Sequence, residues 1–101
     1  MRSFNEEVWE KCRLIPKGKV STYKEIAKSL KTKAYHAVGT ALRKNTYAQK
    51  VPCHRVVNSD VSLGGYKGKL NNPEKIKMLK KEGVKVNKGK IVDFKRRLFR
   101  F

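Results

Sequence analysis

Within the 101 residues, the run Val51-Pro52-Cys53-His54-Arg55-Val56-Val57 sets a thiol directly beside an imidazole. Cys53 is a nucleophile once ionised, and His54 is the side-chain type that exchanges protons near neutral pH. An ordinary thiol with a pKa near ~8.5 is only about 3% thiolate at pH 7, and a neighbouring imidazole or cation raises that share. Arg55 offers such a cation. Pro52 fixes its own φ and drives Val51 to an extended conformation, so the thiol is predicted on a rigid turn rather than inside a long helix. Val56 and Val57 then open a buried strand or core segment that anchors the turn from its far side. Adjacent side chains on a strand face opposite ways, so a water between Cys53 and His54 serves as well as a direct hydrogen bond. In most proteins a Cys-His pair among valines is a buried small hydrophobe with a satisfied polar neighbour. Chemistry at this turn therefore needs support from the rest of the chain.

The length suits one domain with a single modest core. Lys and Arg number 26 against 8 Asp and Glu, a formal charge of +18 with a pI near 10.3. Such a surplus points to a polyanionic partner, most simply nucleic acid, whose condensed counterions are released on binding; an acidic membrane surface is the competitor. No apolar run approaches the roughly 20 residues of a membrane span, and Met1 to Glu6 carries no signal-peptide core, so a cytoplasmic protein without a membrane partner is expected. Cys12 and Cys53 show no metal-ligand spacing, and neither His36 nor His54 has a second ligand pair, so no metal or other cofactor is expected. A disulfide between the two would silence Cys53 and is disfavoured in a reducing compartment. Repeats, low-complexity tracts and flexible linkers are missing from the sequence.

The elements that must position the turn are mostly helical. Ser3-x-x-Glu6 has the form of a capping box, opening a helix over about Asn5 to Leu14 that ends at Pro16-Lys17-Gly18, with Phe4, Val8, Trp9, Cys12 and Ile15 on one face. Cys12 is read as core. Thr22-x-x-Glu25 is a second box, opening a helix with Tyr23, Ile26, Ala27 and Leu30 at helical spacing. After Lys31-Thr32-Lys33 a third helix spans about Ala34 to Lys44, with Val38, Ala41 and Leu42 inward and Asn45 as a left-handed stop. Two short helices joined tightly make a helix-turn-helix. Ala34, Ala37, Gly39 and Thr40 on its outer face are too small to read major-groove base edges, and small residues let a backbone approach a minor groove. They also permit close packing between helices.

Beyond the turn, Asn58-Ser59-Asp60 and Gly64-Gly65 mark loops around a short Val61–Leu63 segment. Asn72 and Pro73 start a helix running to Gly83, with Ile76, Met78 and Leu79 apolar. Glu82 sits in its last turn, where the helix dipole disfavours an anion by about 0.3–1 kcal/mol. A salt bridge to a lysine or orientation of a histidine would offset that. Val84 to Val92 reads as a hairpin turning at Asn87-Lys88-Gly89-Lys90. Asp93 to Phe101 is either a basic arm or a final helix packing its aromatics. The fold class is thus mostly α, a small helical domain with a helix-turn-helix, winged-helix-like, and short β segments.

Five blocks in order, Ile15-Pro16-x-Gly18-x-Val20-x-Thr22-Tyr23, Ala37-Val38-Gly39-x-Ala41-Leu42-Arg43-x-Asn45, Pro52-Cys53-His54-Arg55-Val56-Val57, Gly65-Tyr66-x-Gly68 and Glu82-Gly83, resemble the O6-alkylguanine-DNA alkyltransferases over essentially the whole chain. The resemblance is to their C-terminal, DNA-binding and active-site domain. It implies that Cys53 irreversibly accepts an alkyl group from O6 of guanine in double-stranded DNA, with His54 as water-mediated base, Glu82 orienting it and Asn45 in the same network. Tyr23 would help rotate the nucleotide out of the stack, as a base buried in a duplex requires. Leu42, Val56, Tyr66, Lys67 and Gly68 would form the pocket, Val56 through its backbone. Tyr23, Ala34, Tyr35, His36, Ala37, Gly39, Thr40 and Arg43 would face the minor groove. A monomer is expected, since one thiol consumed per event needs no oligomer.

Three departures accompany the resemblance. His36 stands where relatives carry an intercalating arginine, so the wedge would be imidazole with Tyr35. Lys67 replaces a base-contacting residue. The family's N-terminal domain is missing, so a single domain over 1–101 is expected. Competing readings are a lesion binder of the alkyltransferase-like kind, in which tryptophan often replaces the cysteine, a basic helix-turn-helix regulator, and a cysteine hydrolase. The last lacks an evident oxyanion site.

Overall fold

Ser3 opens the first helix as its spacing to Glu6 predicts. In the computed structural model the Glu6 N–H donates to Ser3 Oγ at 3.2 Å while the Ser3 N–H donates back to the Glu6 carboxylate, and this capping box starts α1, Phe4–Arg13. The structure describes residues 3–44, 51–63, 65–66, 69–70 and 73–101, the side chains of 65–66 and 69–70 excepted. Val8 and Cys12 are fully buried on α1, whereas Phe4, predicted on the same stripe, is exposed at the helix start. Trp9 is half-buried and its indole N–H donates to the Ala41 carbonyl at 2.8 Å, tying α1 to the third helix.

Gly18 takes φ +90°, a conformation that favours glycine, and turns the chain into β1, Ser21–Thr22. Thr22 is also the N-cap of α2, Tyr23–Ser29, its hydroxyl accepting the Glu25 N–H at 3.0 Å. The return half of the predicted box is replaced by a long ion pair from Glu25 to Arg100, 3.9 Å. α3 spans Tyr35–Arg43 and buries Val38, Ala41 and Leu42 as predicted. Its cap, Ala34, has no side chain to offer; φ −81° and ψ 65°, with the Tyr35 N–H donating to the Lys33 carbonyl at 2.9 Å, make an inverse γ-turn that leads into the helix. α3 closes at Lys44 in right-handed conformation, and the predicted stop Asn45 lies outside the described residues.

The short 3-10 turn Cys53–Arg55 leads into β2, Val56–Val57, which pairs parallel with β1 in the register Ser21 to Val56 and Thr22 to Val57. Strand alternation sends these two valines to opposite sides. Val56 joins a core with Val8, Cys12, Ile15, Ile26, Val38 and Val51, and Val57 joins a second with Val20, Leu63, Leu79, Val84 and Ile91. The turn carrying Cys53 therefore lies where the two cores meet. β3, Gly65–Tyr66, pairs antiparallel with β4, Lys69–Leu70, ahead of α4, Pro73–Lys81. β5, Val86–Asn87, and β6, Lys90–Ile91, form the predicted hairpin, with Lys88 and Gly89 both at positive φ as a type I′ turn requires.

The C-terminal segment combines both sequence alternatives. α5, Phe94–Arg97, is one helical turn, after which the chain extends beside β1: the Val20 N–H donates to the Arg97 carbonyl at 2.8 Å and the Phe99 N–H to the Val20 carbonyl at 2.7 Å. Ser21 Oγ adds a bond to the Phe99 carbonyl at 2.9 Å. The fold is mostly helical with short strands and α2–α3 as a helix-turn-helix, as its sequence predicts. Among the described residues no helix is long and apolar enough to cross a membrane.

Candidate active site

Pro52, at φ −77° and ψ 65°, is the centre of a second inverse γ-turn, in which the Cys53 N–H donates to the Val51 carbonyl at 2.8 Å. The Arg55 N–H then donates to the Pro52 carbonyl at 3.0 Å, and the Val56 N–H to the Cys53 carbonyl. Val51 before the turn and Val56 after it are fully buried, so both ends are anchored. The rigid turn predicted from Pro52 is present, and Cys53 is half-buried on it, packed against the first core.

The acidic partner comes from the other end of the chain. α4 stops at Lys81, and Glu82 follows in the turn that Gly83 completes at φ +84°. Glu82 Oε1 lies 3.1 Å from His54 Nε2, so this carboxylate meets the histidine as the resemblance implied. It is also gripped by Arg55, whose Nε donates to Oε1 at 2.9 Å and Nη2 to Oε2 at 2.6 Å. Arg55 Nη1 donates further to the Ile15 carbonyl at 2.9 Å. Of the two partners its sequence position offers, a lysine or a histidine, Glu82 meets the histidine, and its salt bridge comes from Arg55. The sequence offers Arg55 only as a cation near the thiol. Its position two residues after Cys53 on a 3-10 turn is what turns it to Glu82, and that turn type has no signal in the sequence.

Burial pushes the Glu82 carboxyl up, but hydrogen bonds from Arg55 and the charge and hydrogen bond of His54 outweigh it and hold the group below its ordinary value. Burial pushes His54 down, and this exceeds the opposite pull of Glu82; Arg55 and Lys75 push it the same way as burial. A neutral imidazole beside an ionised carboxylate donates from Nε2 and keeps the Nδ1 lone pair free. Nδ1 is buried without a hydrogen-bond partner. Cys12, in contrast, is wholly buried in the first core, and burial drives its thiol far up, which leaves it inert.

Tyr23 begins α2 and is brought to the same region. Its phenol is pushed up by burial first and by the Cys53 and Cys12 sulfurs next, with Arg43 opposing, so it stays a proton donor. Its ring also lies against α3, where a Cβ on Gly39 would stand 4.0 Å from Tyr23 Cε1. On α3, Ala34, Tyr35, His36, Ala37 and Arg43 are exposed and Gly39 and Thr40 half-buried, so the outer face is small and polar as predicted. Thr40 Oγ1 donates to the His36 carbonyl at 3.0 Å and accepts from Arg43 Nη2 at 3.4 Å.

The predicted pocket residues divide. Leu42 is buried in the first core. Both backbone groups of Val56 have partners within the chain, its N–H on Cys53 and its carbonyl on Lys75 Nζ at 2.8 Å. Tyr66 is described only as a backbone pair of Lys69, and Lys67, Gly68 and Asn45 lie outside the described residues. Lys75 was missed altogether. It sits four residues before Leu79, hence on the buried stripe of α4, a spacing that could have flagged it. Among the described residues no group of three or more His, Cys, Asp or Glu is placed to hold a metal ion.

The family model described as 6-O-methylguanine DNA methyltransferase, DNA binding domain, matches residues 3–84. The chain belongs to this methyltransferase family. The methylated-DNA–protein-cysteine methyltransferase of Methanosarcina barkeri is 42% identical over 83 residues, covering 81% of this chain and 52% of the relative. The chain thus spans about half the length of that curated relative. S. pombe Atl1, solved with damaged DNA containing O6-carboxymethylguanine, is similar at a TM-score of 0.86 and 28% identity over 100% of both chains. Mycobacterium tuberculosis OGT, solved in complex with DNA, is similar at 0.73 and 37% identity, covering 81% of this chain and 50% of that one. The methyltransferase match takes in Tyr23, α3, Cys53, His54 and Glu82, while β5, β6, α5 and the C-terminal clasp, the extended segment from Leu98 that bonds beside β1, fall within the span shared with Atl1.

Proposed function

We propose that the chain repairs DNA by direct, irreversible transfer of an alkyl group from O6 of guanine to Cys53, a single-turnover methylated-DNA–protein-cysteine methyltransferase acting through minor-groove binding and base flipping. The observation that carries this reading is the pairing of His54 Nε2 with an ionised Glu82, which leaves a buried Nδ1 lone pair one residue from a half-buried thiol. A water bridging Nδ1 and the sulfur would take the thiol proton. The thiolate then attacks the alkyl carbon, the carbon–oxygen bond breaks with its electron pair left on guanine, and a proton delivered to the guanine ring restores the lactam. The proton lost by sulfur balances the one gained by the base, with Tyr23 as donor on the base's side. No cofactor enters this balance.

Double-stranded DNA containing O6-alkylguanine is the partner. The +18 charge, the small outer face of α3, and two family structures solved with DNA support it. Ala34, Tyr35, His36, Ala37, Gly39, Thr40 and Arg43 approach the minor groove, with Tyr35 and His36 as the wedge. Tyr66, Lys67 and Gly68 border the extruded base, Leu42 and Val56 back it from the core against which Cys53 packs, and Asn45 supports the His54 network. The protein works as a monomer in the cytoplasm. Incubation with a duplex containing O6-methylguanine should raise the intact mass by one methylene, mapped to Cys53. An unchanged mass after full incubation defeats the transfer reading.

A second reading, a binder that holds the lesion without taking the group, is favoured by the match to Atl1 over the full length of both chains. It predicts tight lesion binding with no change in mass.

A further inference from the structure

Lys75 is the one charged side chain among the described residues that is fully buried. It stands in the first turn of α4, at the end of a helix where the dipole disfavours a cation. A methionine or leucine would fill the same space without a buried charge, so the ammonium group calls for a reason.

Its hydrogen bonds supply one. Nζ donates to the Val56 carbonyl at 2.8 Å and to the Leu63 carbonyl. Val56 closes the 3-10 turn that carries Cys53, and Leu63 ends the loop that leaves it. One ammonium therefore ties α4 to both ends of residues 56–63. Burial lowers Lys75 to about 8, against the opposing pull of Cys53 first and Cys12 next, so it stays largely protonated at pH 7. The groups that sense it are Cys53, Cys12 and His54.

We propose that Lys75 is a positioning residue for Cys53: its ammonium, clamped on the Val56 and Leu63 carbonyls, fixes the turn that carries the sulfur and sets a buried positive charge against it, favouring the thiolate. The purpose of that thiolate rests on the transfer reading above; the pairing itself does not. Cys12, sealed in the core, gains no reactivity from the same charge.

The test is the pH profile of Cys53 carboxamidomethylation by iodoacetamide, followed by peptide mass. Lys75→Met keeps length and removes charge, and should move the inflection up by about one pH unit and slow labelling at pH 7 about tenfold. Lys75→Arg should recover most of the inflection. An inflection unmoved in a folded Lys75→Met protein, with only its melting temperature changed, overturns the proposal. Should Lys75→Met fail to fold, an NMR titration of the Lys75 side chain in wild type and Cys53→Ser decides instead. A lower Lys75 inflection in Cys53→Ser supports the pairing, and equal inflections overturn it. Wild-type protein that takes no methyl group from an O6-methylguanine duplex, yet shows the iodoacetamide shift on Lys75→Met, defeats the repair reading and leaves the pairing standing. Methyl transfer with no such shift does the reverse.

Discussion

Glu82→Gln separates the two tasks of one carboxylate. In the wild type Oε1 meets both His54 Nε2 and Arg55 Nε, and Oε2 meets Arg55 Nη2, with side-chain exposures of only 11% for Glu82 and 16% for Arg55. Removing one partner of a fully buried pair costs ~3–5 kcal/mol. Glutamine keeps one acceptor oxygen, Arg55 keeps its bond to the Ile15 carbonyl, and the residual exposure admits water, so the loss should be about 2–3 kcal/mol. At roughly 4–8 °C per kcal/mol for a domain near this size, the melting temperature should fall by about 10–20 °C. Single-turnover methyl transfer should slow ~100-fold or more as His54 loses the group that fixes its tautomer. Binding to an O6-methylguanine duplex, read by fluorescence anisotropy, should change less than about twofold, because the α3 face is untouched. The folded Glu82 is held below its unfolded value, so its stability is fully present above about pH 4.3 and is lost as pH falls through the folded value. The two melting curves should therefore converge in acid. Equal losses in transfer and binding would reduce Glu82 to a structural salt bridge; unchanged melting and transfer would refute the reasoning from geometry.

Cys53→Ala should retain lesion-duplex affinity within about threefold and abolish the mass gain, since in the proposed reaction the α3 face rather than the sulfur supplies the contacts to the duplex; methyl acceptance by this variant would move the nucleophile to Cys12. Association with DNA should weaken steeply with salt, by roughly a thousandfold between about 50 and 200 mM if about six phosphates are neutralised, and a flat response in a filter-binding titration would remove the argument from the +18 charge. Phe99→Ala should cost about 2–3 kcal/mol in urea unfolding, less than a fully buried aromatic because Phe99 is half-buried against the first core, and no loss would mean that the C-terminal clasp is not part of the folded unit. Wild type should gain stability over Lys75→Met by up to about 3 kcal/mol between pH 8 and 10.5, as the lysine lowered to about 8 gives up a proton that the unfolded chain still holds; parallel pH curves would contradict that burial.

Local signals predicted the local structure. Ser3 with Glu6, Thr22 with Glu25, Pro73 at a helix start and Lys88-Gly89 in a hairpin each act within a few residues, and each appears where its spacing predicts, Thr22 as a cap without the return bond from Glu25. What the sequence could not convey is how distant segments meet. The β1–β2 pairing joins Thr22 to Val57, and the clasp joins Val20 to Leu98, through backbone groups that every residue possesses. The same holds for the site. Cys53 and His54 were legible because Pro52 precedes them and apolar residues flank them. Glu82 was anticipated through the resemblance, but Arg55 as its principal cation depends on a 3-10 turn that no residue type encodes. Lys75 escaped because lysine is read as surface, and only its spacing from Leu79 contradicts that.

The two thiols differ first in burial. Cys12 belongs to the core against which Cys53 packs, and Arg55 and Lys75 favour ionisation at Cys12. Burial overwhelms those cations at Cys12, which α1 seals completely. Cys53 is lifted from that environment by the γ-turn at Pro52, which leaves it half-buried and near enough to Lys75 for the two to interact electrostatically. The two valines after it then divide between the two cores, so the turn cannot relax without disturbing both. In the proposed reaction, a thiol held between two packed cores needs no motion of its own. The alkylated base must come to it, and that is why base extrusion belongs to the proposed reaction.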